Sequence, residues 1–107
     1  MLRYGIRSRN LKEAAALVAG TLSVNFALHD SSYRGGDYFL AEVEEGSIYV
    51  QPNFDLLDNE PFDKTWPPDH YLLCLAGLDD EKWAPYMKLL KLLEDSEQVV
   101  FLKRAIS

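Results

Sequence analysis

Three short stretches separated by turn signals, residues 25–30, 38–43 and 47–51, alternate apolar side chains with others. A period of two narrows the fold more than anything else in the chain, because successive side chains of a strand point to opposite faces of a sheet. Phe26 and Leu28, then Phe39, Ala41 and Val43, then Ile48 and Val50 make one apolar face. The opposite face carries Ala27, His29, Tyr38, Leu40, Glu42, Tyr49 and Gln51. The first set is expected to lie under helices, while the second is mixed and aromatic and is expected to be largely uncovered. Glu44-Glu45-Gly46 reads as the tight turn between two of these strands, with Gly46 at positive φ, and Gly35-Gly36 as a looser turn one strand earlier.

The helices announce themselves by a different period. Leu11, Ala14, Ala15, Val18 and Leu22 recur at the spacing of an amphipathic helix, and Asn10 followed by Glu13 is an N-terminal capping pattern. This predicts a helix over residues 11–22. Met87, Leu90 and Leu93 make the inner stripe of a second helix, with Asp79, Asp80 and Glu81 near its start. Pro85 either sits in its first turn or follows a short turn at 79–83, the main helix then running over 85–95. Residues 2–7 and 99–103 read as strands. Residues 71–75, a continuous apolar run, read as a strand buried on both faces. The order β-α-β-β-β-loop-β-α-β gives an α+β fold: a single, largely antiparallel sheet with two helices packed on one face. At 107 residues, the chain is expected to form a single domain over 1–107.

Composition excludes several classes of function. No apolar run approaches the ~18 residues of a membrane span. The opening MLRYGIRSRN lacks a following apolar block of the signal-peptide kind, so the expected location is cytoplasmic, with no membrane partner. Cys74 is the single cysteine, which rules out an intramolecular disulfide and a multi-cysteine metal site. Seventeen acids against eleven bases give a net charge of −6, the wrong sign for a nucleic-acid partner and the right one for a cationic protein.

The acids are not spread evenly. From Asp37 to Asp63 there are eight carboxylates and no Lys or Arg. Pro52, Pro61, Pro67 and Pro68 break any strand pattern after residue 51, leaving a long irregular connection of a kind that is often functional. Asp55, Asp58, Glu60 and Asp63 depart from calcium-loop spacing, which needs a glycine at its sixth position. Interleaved with these acids are Phe54, Phe62 and Trp66, and aromatics carry interface energy where isolated carboxylates carry little. We therefore expect Asp55, Asp58, Glu60, Asp63, Phe62 and Trp66 to form a contact surface for a basic protein partner.

No catalytic constellation stands beside it. His70 and Cys74 would be about 13 Å apart on a strand, too far for a nucleophile–base pair. His29-Asp30-Ser31-Ser32 has the residue types of a hydrolase triad, but neighbours on an extended chain point apart and the same residues suit the start of a turn. No phosphate loop, zinc pattern or nucleophile elbow occurs. The chain is expected not to be an enzyme and to need no cofactor or metal.

Through Ser31-Ser32-Tyr33-Arg34-Gly35-Gly36-Asp37-Tyr38-Phe39, Asn53-Phe54-Asp55, Asp58, Glu60-Pro61 and Pro67-Pro68-Asp69-His70, the chain resembles a group of small bacterial proteins similar to the immunity proteins of contact-dependent growth inhibition and related polymorphic toxin systems. The resemblance spans residues 31–70. It implies a protein that binds a toxin domain of the same strain and blocks it, commonly by covering a nuclease active site. A nuclease cleft is basic because it holds phosphates, and an acidic loop with aromatic anchors complements it. The alternative is a small enzyme or ligand-binding domain using the sheet face around His29, Tyr38 and Tyr49.

Overall fold

The computed structural model describes residues 1–44, 46–77 and 80–104. Strands β1 (Leu2–Ile6), β2 (Ala27–Ser31), β3 (Gly36–Val43), β4 (Gly46–Pro52), β5 (Tyr71–Ala76) and β6 (Val99–Arg104) form one sheet in the order β2-β3-β4-β5-β1-β6. Every pairing is antiparallel. Helices α1 (Leu11–Leu22) and α2 (Ala84–Asp95) pack into the same core cluster on one side of the sheet, so the fold is the expected α+β arrangement. No described helix is long and apolar enough to cross a membrane.

Helix α1 has the predicted bounds. The Asn10 side chain accepts from the Glu13 amide at 3.0 Å, and Ser23 ends the helix in the left-handed region at φ 56°. Ala14, Ala15, Val18 and Leu22 are its buried residues. Helix α2 combines the two forms expected: a 3-10 turn over Asp80–Trp83 precedes it, and Pro85 lies in its first turn, where its missing amide costs nothing. Leu90 and Leu93 are buried, and Trp83, absent from the predicted inner stripe, is the largest fully buried side chain. The expected acid at Asp79 and the turn residue Glu45 lie outside the described residues.

The face assignment holds at the sheet centre and fails at its edge. Ala41, Ile48 and Val50 are buried under the helices, while Phe39 and Val43 pack against that core half-buried. Leu28, expected on the buried face, is 57% exposed. It points to the helix side opposite Phe39, but β2 is an edge strand lying beyond the cover the helices provide. Half-burial lowers what Phe39 contributes. Its ring meets Phe26 edge-on at 6.3 Å with solvent on one side. Phe39→Ala is therefore expected to cost about 1–3 kcal/mol, below the 3–5 of a fully buried ring. A loss outside that range in denaturant unfolding would contradict the half-covered placement.

Candidate functional site

The second face of the sheet is divided. Over β1 and β5 it is covered by the loop 53–70, over β2 and β3 it is open, and on β4 between them Gln51 is buried and Tyr49 half-buried. The cover centres on Trp66, which is 8% exposed and forms a second core with Leu72 and Cys74. It needs Gly5 beneath it: a Cβ there would lie 2.3 Å from Trp66 Cε2. Trp66 Nε1 donates to the Tyr71 carbonyl at 3.1 Å, and the Arg7 guanidinium lies 5.4 Å from the indole centroid. Burial pushes the Cys74 thiol up from its ordinary range, against smaller opposing effects of Arg3 and Arg34, so it stays a neutral core residue.

Asn53 is the hub of this cover. It is fully buried, and its Nδ2 donates to the carbonyls of Asp63, Trp66 and Pro67 at 2.9, 2.7 and 3.2 Å. Its Oδ1 accepts from the Asp63 amide at 2.8 Å. One side chain thus satisfies backbone groups of three loop residues that strand pairing leaves unpaired. Asp63 is buried beside it. Its carboxylate accepts from the Thr65 amide at 2.9 Å and from the Thr65 hydroxyl, and lies 3.6 Å from Arg3 Nη1. Burial raises the Asp63 pKa, but the Thr65 hydrogen bonds, then Arg3 and Lys103, outweigh it and hold the carboxyl below its ordinary value. A carboxyl depressed in the folded state stabilises above its unfolded pKa, and that contribution is lost as pH falls through the folded value. The stability gap between wild type and Asp63→Asn is accordingly expected to be full at neutral pH and to shrink below about pH 4. Urea midpoints at several pH values check this, and a gap that widens in acid would refute it.

The six residues expected to meet a partner therefore separate. Trp66 and Asp63 hold the loop to the sheet, and this corrects their expected place on an exposed contact surface: covering Gly5 and pairing with Arg3 bury them. Phe62 is half-buried against the same second core. Asp55 closes a tight turn, its Oδ1 accepting from the Leu57 and Asp58 amides at 2.9 and 3.3 Å. Its backbone pairs with Glu60, and Asn59 supplies the left-handed residue at φ 56°. Glu60 is exposed and 3.5 Å from Lys64. Asp58 is exposed at the tip.

Sequence reading missed what stands beside Asp58. Leu56 and Leu57 are 53% and 57% exposed. Two adjacent leucines between Asp55 and Asp58, in a run without period, were the available signal. The tip abuts the turn after the 3-10 helix Ser32–Arg34: a Cβ at Gly35, whose φ is +86°, would lie 2.8 Å from the Phe54 carbonyl oxygen, and one at Gly36 would lie 3.7 Å from Leu56 Cδ1. That close approach, and the positive φ, account for the glycine pair. Tyr33 on the same 3-10 helix is 77% exposed. Asp30 and Asp37, direct cross-strand partners and both exposed, lie on the other side of the sheet with Leu28 and Phe39, where Lys12 lines the same cleft. The tip itself carries exposed apolar side chains and carboxylates together: Leu56 and Leu57 beside Asp58 and Glu60.

On the open half of the face, His29 stacks on Tyr38 at 5.6 Å between centroids, and Tyr38 lies 6.0 Å from Tyr49. Arg34 covers Tyr49, its guanidinium carbon 3.7 Å from the ring centroid, and donates to Gln51 Oε1 at 3.1 Å. The aromatic row is thus partly occupied by the chain's own cation. Among the described residues, no group of three or more His, Cys, Asp or Glu is placed to hold a metal ion. Comparison with protein-family models, with curated proteins and with solved structures finds no match to this chain.

Proposed function

We propose that this protein is a non-catalytic inhibitor of the immunity-protein kind, which binds a basic toxin domain, a nuclease in the simplest case, and covers its active site with the acidic corner at residues 55–60. The observation that carries this reading is the pair Leu56 and Leu57, held out to solvent by a closed Asp55 turn and flanked by exposed Asp58 and Glu60. A turn closed by its own side chain gives up little further entropy on binding, so its leucines serve as preorganised anchors. Carboxylates around apolar anchors steer a cationic surface to the site and reject anionic ones.

The test uses the basic C-terminal domain of a secreted protein encoded immediately upstream, the partner the resemblance implies. Co-expression of the wild-type chain is expected to restore growth in cells making that domain, and the purified pair to form a one-to-one complex. The double variant Leu56→Ser, Leu57→Ser is expected to keep its folded stability and raise Kd by about 30-fold or more, in line with loss of a central apolar anchor. Asp58→Asn is expected chiefly to slow association, and less so at high salt. A tip variant that binds like wild type would move the contact elsewhere, and absence of both complex and protection would reject the reading.

A further inference from the structure

A groove runs between α2 and β6 at the edge of the sheet opposite to the acidic corner. Its volume is about 430 Å³, within the range of small-molecule sites. Tyr4 and Phe101, packed edge-on at 5.2 Å, and Met87 line it with apolar surface. Lys88, Lys91 and Arg104 line it as well, and Glu94 is the one carboxylate among its described lining residues. That is a local excess of positive charge on a chain whose net charge is −6. We propose that this groove binds a small organic monoanion with an apolar body, a carboxylate carrying an aliphatic or aromatic group.

The backbone is shaped for it. The β1–β6 register shifts between Arg3 and Tyr4, pairing Tyr4 with Phe101 but Arg3 with Lys103, so that Leu102 is the extra residue of a β-bulge. Leu102 and Lys103 consequently serve the loop side, where they line a different cleft, and Arg104 comes opposite Leu2 on the helix side with Phe101. In an unbulged strand Lys103 would take that place. The bulge therefore supplies a planar, two-pronged guanidinium, which suits a carboxylate better than a point charge does. A bulge on an edge strand also discourages addition of a peptide strand, which favours a small ligand over a polypeptide. Lys88 and Lys91 are one helical turn apart and face the same groove. Lys91 also lies 3.3 Å from Asp95, but both are largely exposed, and such a pair yields readily to a better anion. Burial, then the nearby Glu94, pushes the Tyr4 hydroxyl up to about 12, so it remains a protonated donor at the groove. Glu94 in the same lining opposes a second negative charge on the ligand, hence a monoanion.

This site is independent of the tip at 55–60, and its test does not involve a toxin. The full chain, labelled with nitrogen-15, is titrated with octanoate, and separately with octanol and octylamine. Octanoate is expected to shift amides of residues 87–94 and 99–104 saturably, with Kd of about millimolar for so small a probe. Octanol is expected to bind at least about tenfold more weakly and octylamine not to bind, since the cations are the part that discriminates. Lys88→Glu with Lys91→Glu is expected to weaken octanoate by at least about tenfold with spectral dispersion unchanged. Should the double reversal disturb the fold, Arg104→Gln is read instead, with at least about threefold weakening expected. Leu56→Ser is expected to leave the titration as in wild type. Equal binding of octanol and octanoate, unsaturable or scattered shifts, or octanoate affinity insensitive to the lysine and arginine changes would overturn the proposal.

Discussion

Asn53→Ala is expected to destabilise the protein by about 3–5 kcal/mol, near the top of what a single polar substitution does. The reason lies in what it leaves behind. The Asp63 amide and the Trp66 carbonyl lose their partner at a side chain that is fully buried, while the carbonyls of Asp63 and Pro67 lose one of two, keeping the amides of Trp66 and His70. Each orphaned group costs about 1–3 kcal/mol, reduced where water enters. Asn53→Asp, nearly isosteric, is expected to do at least as much harm, because an oxygen would then face three carbonyl oxygens. The loss is expected in two steps. The loop 53–70 detaches first, exposing Trp66, while the core beneath the helices survives to higher denaturant. Hydrogen exchange that quickens across the loop ahead of β1 and β5 marks this order, and a loss below about 1 kcal/mol would show that the hub is dispensable.

Gly5→Ala is expected to cost about 3 kcal/mol, at the upper end of overpacking, for one added methyl group. The new Cβ would fall 2.3, 2.4 and 2.7 Å from Trp66 Cε2, Cδ2 and Cζ2, atoms of a rigid ring tied by its Nε1 to the Tyr71 carbonyl. Trp66→Ala alone is expected to cost about 3–5 kcal/mol through the cavity it opens over Leu72 and Cys74. With the ring gone, the methyl has room, so the double variant is expected to match Trp66→Ala, a coupling of about 3 kcal/mol. Additive losses in urea unfolding would mean that Trp66 does not rest on Gly5.

Much of the local structure was legible. The capping pattern at Asn10 and the 3.6-residue period placed α1 at its observed bounds, and the two-residue period placed Ala41, Ile48 and Val50 under the helices. The apolar run at 71–75 became β5, buried on both faces in the middle of the sheet. These features rest on neighbours within one or two turns of chain, and such signals are carried by the residues themselves.

The site was legible only in outline. Residues 53–70 read correctly as an acidic, irregular segment, but Trp66, expected on the contact surface, is buried, and Leu56, to which the pattern assigned no place, is exposed. Nothing local distinguishes an aromatic that seals a loop from one that waits for a partner. The difference is set by Gly5 and by Asn53, and Gly5 comes near Trp66 only through the pairing of β1 with β5. Leu28 shows the same limit, since its alternation matched that of Ile48 while strand order put one at the edge and the other at the centre. Periodicity and capping determined the elements and the face each residue takes, because those depend on local backbone geometry. Strand order and the docking of the loop decided which of those faces water reaches, because burial is a sum over contacts between residues far apart in the chain.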